Sequence, residues 1–207
     1  MAAMRVRKPA EARKAEIVEA ALRLADELGP ERLTTSAVAE AVGLTQPGVF
    51  RHFPKKQDLW EAVAARAGAM MEARWKKAGR RETSPTGRLL ALIVAQLQLI
   101  QSNPAIPAIL FSRELHVRNQ DLRKAFHGLL GRFHRVLSTL ATSARDAGEL
   151  RSDIEPEDTA FLIVGVVQGL VVRWSIGGRV FDLPAEGRRL VALQLRLMAP
   201  DYQGAER

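Results

Sequence analysis

The side chains best equipped for chemistry gather in one stretch, TTSAVAEAVGLTQPGVFRHFPKKQDLWEAV, from Thr34 to Val63. Gln46 carries an amide that can bond adenine N6 and N7 as a bidentate pair, and Pro47 beside it can touch a thymine methyl. Thr35, Thr45, His52 and Lys56 bring hydroxyls, an imidazole and an ammonium, all suited to phosphate oxygens. Ser36 and Arg51 can reach either bases or phosphates. Gly48 allows a close approach of backbone to DNA. Phosphate contacts orient a protein on a duplex, and base contacts choose the site. Plainer roles stand beside these. Thr35 and Thr45 also suit helix caps, His52 a surface position and Lys55-Lys56 a solvated helix start. A lysine at a helix start opposes the helix dipole, which favours an anionic partner there.

Two short helices must position these groups. Thr34-Thr35-Ser36 offers capping hydroxyls for a helix to about Val42, and Gly43 follows as a turn residue that accepts positive φ. Thr45 caps a second helix from about Gln46 to Phe53, with Pro47 in its tolerant first turn and Pro54 as its stop. Ala39, Gly43 and Val49 stand at spacings of four and six. A small residue, a turn glycine and a locking apolar residue in that order suit a helix-turn-helix, with Val38, Val42, Leu44 and Phe53 completing a small core. The second helix then points outward into a major groove, and the helix N-termini near Thr35 and Gln46 add partial positive charge.

The rest of the chain is helical in period. Ile17, Ala20, Ala21, Leu24, Ala25 and Leu28 form one stripe, stopped by Gly29-Pro30. A long helix is predicted over 56–78, then others over 85–102, 105–116, 121–147, 156–176 and 184–198, with breaks at proline and glycine. The expectation is an all-α chain of about nine helices. It comprises an N-terminal basic arm and three-helix DNA-binding domain over 1–56 and a ligand-binding and dimerisation bundle over 57–207.

The motif stretch resembles the signature of the TetR family of bacterial transcriptional regulators. The matching residues are Thr34-Thr35, Ala39, Gly43-Leu44-Thr45, Gly48, Phe50, His52-Phe53 and Lys56. One position departs from the pattern. Where the family usually has tyrosine, whose hydroxyl reaches a phosphate, this chain has Phe50, which offers apolar contact or packing. The resemblance implies a repressor that binds a palindromic DNA operator as a homodimer and lets go when a small hydrophobic effector binds. Whether the ligand releases DNA or promotes binding is left open by the sequence.

In that family the middle helices enclose the effector and the last two helices pair with those of a second subunit. Met70, Met71, Trp75, Leu97, Phe111, His116, Phe126 and Phe133 are the flexible and aromatic groups suited to a hydrophobic ligand, and each taken singly reads more readily as core. Arg113, Glu114, His116 and Arg118 read as a surface cluster. Gly165, Gly169, Val172, Leu193 and Leu197 are the candidate dimer-interface residues. The helix carrying the first three is apolar almost all round, as a helix buried on both sides must be. Dimerisation also follows from geometry, since two reading helices roughly 34 Å apart can read a palindrome.

Composition narrows the alternatives. The net charge is +8 over 207 residues, a balance that favours an anionic partner. Arg5, Arg7, Lys8, Arg13 and Lys14 form a basic arm ahead of the first helix. There are no cysteines, which removes disulfides and thiolate chemistry and suits a cytoplasmic protein. The charged start predicts no secretion signal. The apolar run Ala160–Val172 is short for a bilayer span and holds Gln168, so no membrane partner is expected. No Gly-x-Ser-x-Gly, phosphate-cradling loop or His-Glu-x-x-His occurs, so no enzyme and no cofactor are expected. His127 and His134 stand seven apart without an acidic residue to complete a metal site. A DNA-binding architectural protein without an effector and, from the charge, a peripheral membrane protein are the competing readings.

Overall fold

The computed structural model describes residues 9–200, and their regular structure is entirely helical. The order is α1 (Ala10–Leu28), a 3-10 turn (Pro30–Arg32), α2 (Thr35–Ala41), α3 (Gln46–Phe50), α4 (Lys56–Lys77), α5 (Pro85–Ser102), α6 (Ala105–Phe111), α7 (Arg113–Arg118), α8 (Gln120–Asp146), α9 (Pro156–Ile176) and α10 (Leu183–Leu197). Of the basic arm, Arg5, Arg7 and Lys8 lie outside the described residues. Arg13 and Lys14 fall on α1, where they pair with Glu16 at 2.7 Å and Glu11 at 3.3 Å.

The sequence predicts one helix over 105–116, and the structure has two. Ser112 makes the division. Its hydroxyl accepts the Leu115 N–H at 3.1 Å, as a cap does, and donates to the Glu31 carboxylate. A serine that can satisfy a backbone donor in this way starts a helix more readily than it continues one.

The chain forms two compact units. The first runs through Ala67 and includes Ala108–Phe126. There α1 packs on α2 and on the 3-10 turn, which also receives α7. Ile17, Ala21, Ala25, Leu33, Val38 and Val49 are its fully buried apolar residues around the reading helices. Arg66 of α4 donates to Glu19 of α1 at 2.5 Å.

The second unit comprises Gly68–Pro107 and the chain from His127 onward. Its centre is α10 laid along α5, with α9 against both. Gly187 of α10 explains the closeness: a Cβ there would stand 2.0 Å from Leu97 Cδ1. Polar bonds tie α5 to its neighbours. Trp75 Nε1 donates to the buried Gln96 Oε1 at 2.7 Å. The Thr86 amide and hydroxyl both donate to Glu149, at 2.8 and 2.6 Å. The Leu183 amide donates to Gln101 Oε1 at 2.8 Å.

Helix α9 corrects the length argument made from sequence. The apolar run understates it: at 21 residues it is long and apolar enough, by length and composition, to cross a membrane. Its inner face buries Ala160, Ile163, Val167, Leu170, Val171 and Trp174, as a core helix does. Its outer face does not follow suit, with Phe161, Leu162, Gly165, Gly169, Val172 and Ile176 all exposed.

Candidate nucleic-acid interface

The α2–α3 hairpin is closed by local bonds that its sequence supplies. Thr34 caps α2, its hydroxyl accepting the Ala37 N–H at 3.1 Å. At the other end Gly43 adopts φ +62°, its N–H donates to Glu40 O at 3.0 Å, and the Leu44 N–H reaches Ala39 O at 2.8 Å. This pair of bonds is a Schellman motif, which satisfies the last carbonyls of α2 and turns the chain sharply. Thr45 then caps α3, accepting the Gly48 N–H at 3.3 Å. Ala39 and Val49 are buried between the helices, as the spacing predicts.

That geometry sorts the predicted DNA-contacting residues. Ser36, Thr45, Gln46, Pro47, Phe50, Arg51 and Lys56 are exposed, and His52 is half-buried. They present an amide, a proline ring, an aromatic face, hydroxyls and cations from one short element and its flanks. Thr35 and Gly48 are buried. Thr35 turns inward and its hydroxyl accepts Gln46 Nε2 at 2.9 Å. The bond orients the Gln46 amide before any ligand arrives. Gly48 packs against its own turn, where a Cβ would lie 3.4 Å from both Leu44 Cβ and Thr45 Oγ1. Its small size thus serves the hairpin's closure.

Lys56 opens α4, and its ammonium donates to Leu33 O at 2.5 Å. Partial burial, and secondarily the charge of Arg118, hold its pKa below the ordinary lysine range. Both effects penalise the charged form of a partly buried ammonium. Arg118 is itself paired with Glu114 at 3.1 Å, so its charge acts on Lys56 only as the lesser of the two effects. Sequence reading placed Arg118 in a surface cluster and could not bring it near Lys56. The N-terminus of α4 is closed by Asp58, whose carboxylate accepts the Lys55 N–H at 2.9 Å.

Comparison with known proteins decides what this hairpin belongs to. The profile of bacterial regulatory proteins, tetR family, matches residues 17–68. The profile of the YsiA-like protein C-terminal region matches residues 64–196, well over half of the chain. The chain belongs to the TetR family. This TetR-family chain is a DNA-binding transcriptional regulator with a helix-turn-helix, not an enzyme. It is similar to the nucleoid occlusion factor SlmA of Haemophilus ducreyi, 27% identical over 136 residues that span 63% of this chain and 67% of the relative. In fold it is similar to the TetR-family regulator PfmR of Thermus thermophilus, with TM-score 0.73, 20% identity and coverage of 92% of this chain and 99% of that one. It is similar also to the regulator FadR of Bacillus subtilis, solved in complex with stearoyl-CoA, with TM-score 0.76, 17% identity and coverage of 87% and 97%.

The TetR-family regulator's other candidate residues fall in both units. Phe111, His116 and Phe126 belong to the first, and Met70, Met71, Trp75, Leu97 and Phe133 to the second. Phe111 is exposed. His116 donates or accepts through Nε2 with Leu110 O at 2.9 Å, stands edge-on to Phe126 and has a buried Nδ1 without a hydrogen-bond partner among the described residues. Trp75 and Phe133 are stacked, with ring centroids 5.0 Å apart. Leu97 is fully buried against Gly187. On the outer faces of α9 and α10, Gly165, Gly169, Val172, Leu193 and Leu197 are all exposed, and a Cβ on either glycine would meet nothing within 4 Å.

Proposed function

We propose that this regulator is a ligand-responsive repressor, acting as a homodimer on a palindromic operator and released by a small hydrophobic effector. The observation that carries the reading is the face of α3. Gln46, Pro47, Phe50 and Arg51 stand exposed on a helix whose turn and both caps are closed by local bonds. The role of each follows its chemistry. Gln46 bonds a base edge, Pro47 and Phe50 contact apolar base surface, and Ser36, Thr45, Arg51, His52 and Lys56 hold phosphates. Thr35 and Gly48 support from beneath.

The dimer reading is supported by the outer stripe of α9. Phe161, Leu162, Gly165, Gly169, Val172 and Ile176 recur at helical spacing and are exposed among the described residues, with Phe161 leaning on His134. Leu193 and Leu197 of α10 add to it. A second copy buries such a stripe and removes the apolar surface from water. Helix α4 is the element shared by both units, carrying Lys56 in the first and Met70, Met71 and Trp75 in the second. A ligand that favours one setting of α4 therefore shifts the population that fits DNA, by a coupling of order 1–3 kcal/mol.

The test is selection of a duplex from a random pool by the purified full chain, followed by mass measurement of the complex. A palindromic consensus bound by two copies is expected. A monomer indifferent to sequence overturns the repressor reading and favours an architectural role. The charge and cysteine-free composition fit a cytoplasmic setting. Vesicle flotation tests α9 directly, since a membrane-seeking α9 carries the protein to the lipid fraction and a dimer-seeking one does not.

A further inference from the structure

We propose that the second unit binds a small amphipathic anion, a carboxylate with an apolar tail, in a groove between the C-terminal half of α4 and the middle of α8. The groove has a volume of about 510 Å³ and is lined by Glu72, Trp75, Lys76, Arg132, Arg135, Val136 and Thr139. That volume lies within the range of small-molecule sites.

The floor is apolar and fixed. Trp75 is held by its stack on Phe133 and by its Nε1 bond to the buried Gln96, so it is fixed in place and only an edge of it reaches the groove. Val136 continues the apolar strip. The rim is cationic, with Lys76, Arg132 and Arg135 set against the single carboxylate of Glu72. Arg132 is committed to that carboxylate, its Nε donating to Glu72 at 2.7 Å. Glu72 is thereby neutralised and does not repel an incoming anion. Lys76 and Arg135 have no acidic partner among the described residues. Both arginines lie back along α8 over glycines. A Cβ on Gly131 would stand 3.7 Å from an Arg135 guanidinium nitrogen, and one on Gly128 would stand 3.4 Å from Arg132's. The Arg135 guanidinium and the Lys76 ammonium beside this apolar strip suit a carboxylate whose tail lies along Val136 and the exposed edge of Trp75.

The proposal deepens the sensor reading and rests on it only for its effect on DNA. Calorimetric titration of the full-length protein with decanoate, 1-decanol and decylammonium, equal in tail and different in head, separates the two claims. Decanoate is expected to bind at least tenfold more tightly than either control. In the doubly charge-reversed variant Lys76→Glu, Arg135→Glu, both exposed positions, the order is expected to invert in favour of decylammonium. Equal binding of all three heads, or a decanoate preference that survives the reversal, overturns the groove. Decanoate binding that obeys the reversal but leaves operator affinity unchanged confirms the groove and overturns its role as the effector site. Loss of operator affinity with decanoate that vanishes in the reversed variant supports both.

Discussion

The α2–α3 hairpin and the α5–α9–α10 bundle are held together by opposite means. In the hairpin the closing bonds span three to five residues: Thr34 to Ala37, Leu44 to Ala39, Thr45 to Gly48. In the bundle they join distant segments: Gly187 against Leu97, Trp75 with Gln96, Thr86 with Glu149. The hairpin is a local device that presents side chains outward. The bundle is a non-local one whose outward apolar surface includes the α9 stripe with Leu193 and Leu197 of α10. A regulator built this way can vary its reading face at little structural cost, while its bundle tolerates little change of volume.

The largest effect is expected where the bundle is tightest. Leu97→Ala removes a fully buried side chain from the α5–α10 contact and should cost about 2–5 kcal/mol of stability. Urea unfolding reports it, with Trp75 and Trp174 as fluorophores of the second unit and Trp60 of the first. A loss well below that range would show that Gly187 lets α10 collapse onto the space. The next effect tests the hairpin's outward face. Gln46→Ala should lower discrimination at one base pair by about 1–3 kcal/mol and leave thermal stability near that of the parent. Arg51→Ala is the matched control, weakening all sequences alike. If Gln46→Ala instead lowered the melting temperature, its bond to Thr35 would be structural first.

A third prediction addresses the turn itself. Gly43→Ala places a Cβ at φ +62° and should cost about 1–2 kcal/mol, reported by thermal melting of the DNA-binding unit. Operator affinity should fall with it. An alanine variant that melts and binds like the parent would remove the left-handed turn from the hairpin's requirements.

This division also decides what was legible in the sequence. Thr45, Gly43, Ala39 and Val49 act within a few residues of themselves, so their types and spacing announce their roles. The inward turn of Thr35 was not legible, because its partner, Gln46, lies on the other helix. The division of the 105–116 helix was missed for a similar reason: Ser112 bonds Glu31, far back in the chain. The all-helical class, the caps and the family signature were open to reading. The groove residues were half visible. Trp75 and Phe133 stood out as apolar candidates, but Lys76, Arg132 and Arg135 are three among 31 lysines and arginines until folding brings them to one rim.

The smallest predicted effect is the most specific, because Lys56 belongs to both a local and a distant arrangement. It starts α4, bonds Leu33 O and feels Arg118. Its folded pKa is depressed, so the unfolded chain holds this proton more tightly than the native protein. Stability contributed by this site therefore rises as pH climbs through the interval between the folded and unfolded values, and is lost as pH falls through the folded value. DNA acts in the other direction. A phosphate beside the ammonium restores the charged form, so operator binding takes up a proton and affinity falls as pH rises through the depressed folded value of Lys56. Lys56→Arg should flatten that dependence while keeping the salt response, since guanidinium does not titrate there. Lys56→Ala should flatten both, reducing the salt slope by about one unit. Anisotropy titrations of an operator duplex across pH and salt separate the three proteins. If Arg and Ala behave alike, Lys56 serves only to hold α4 against Leu33, and the phosphate grip belongs to Arg51 and Thr45.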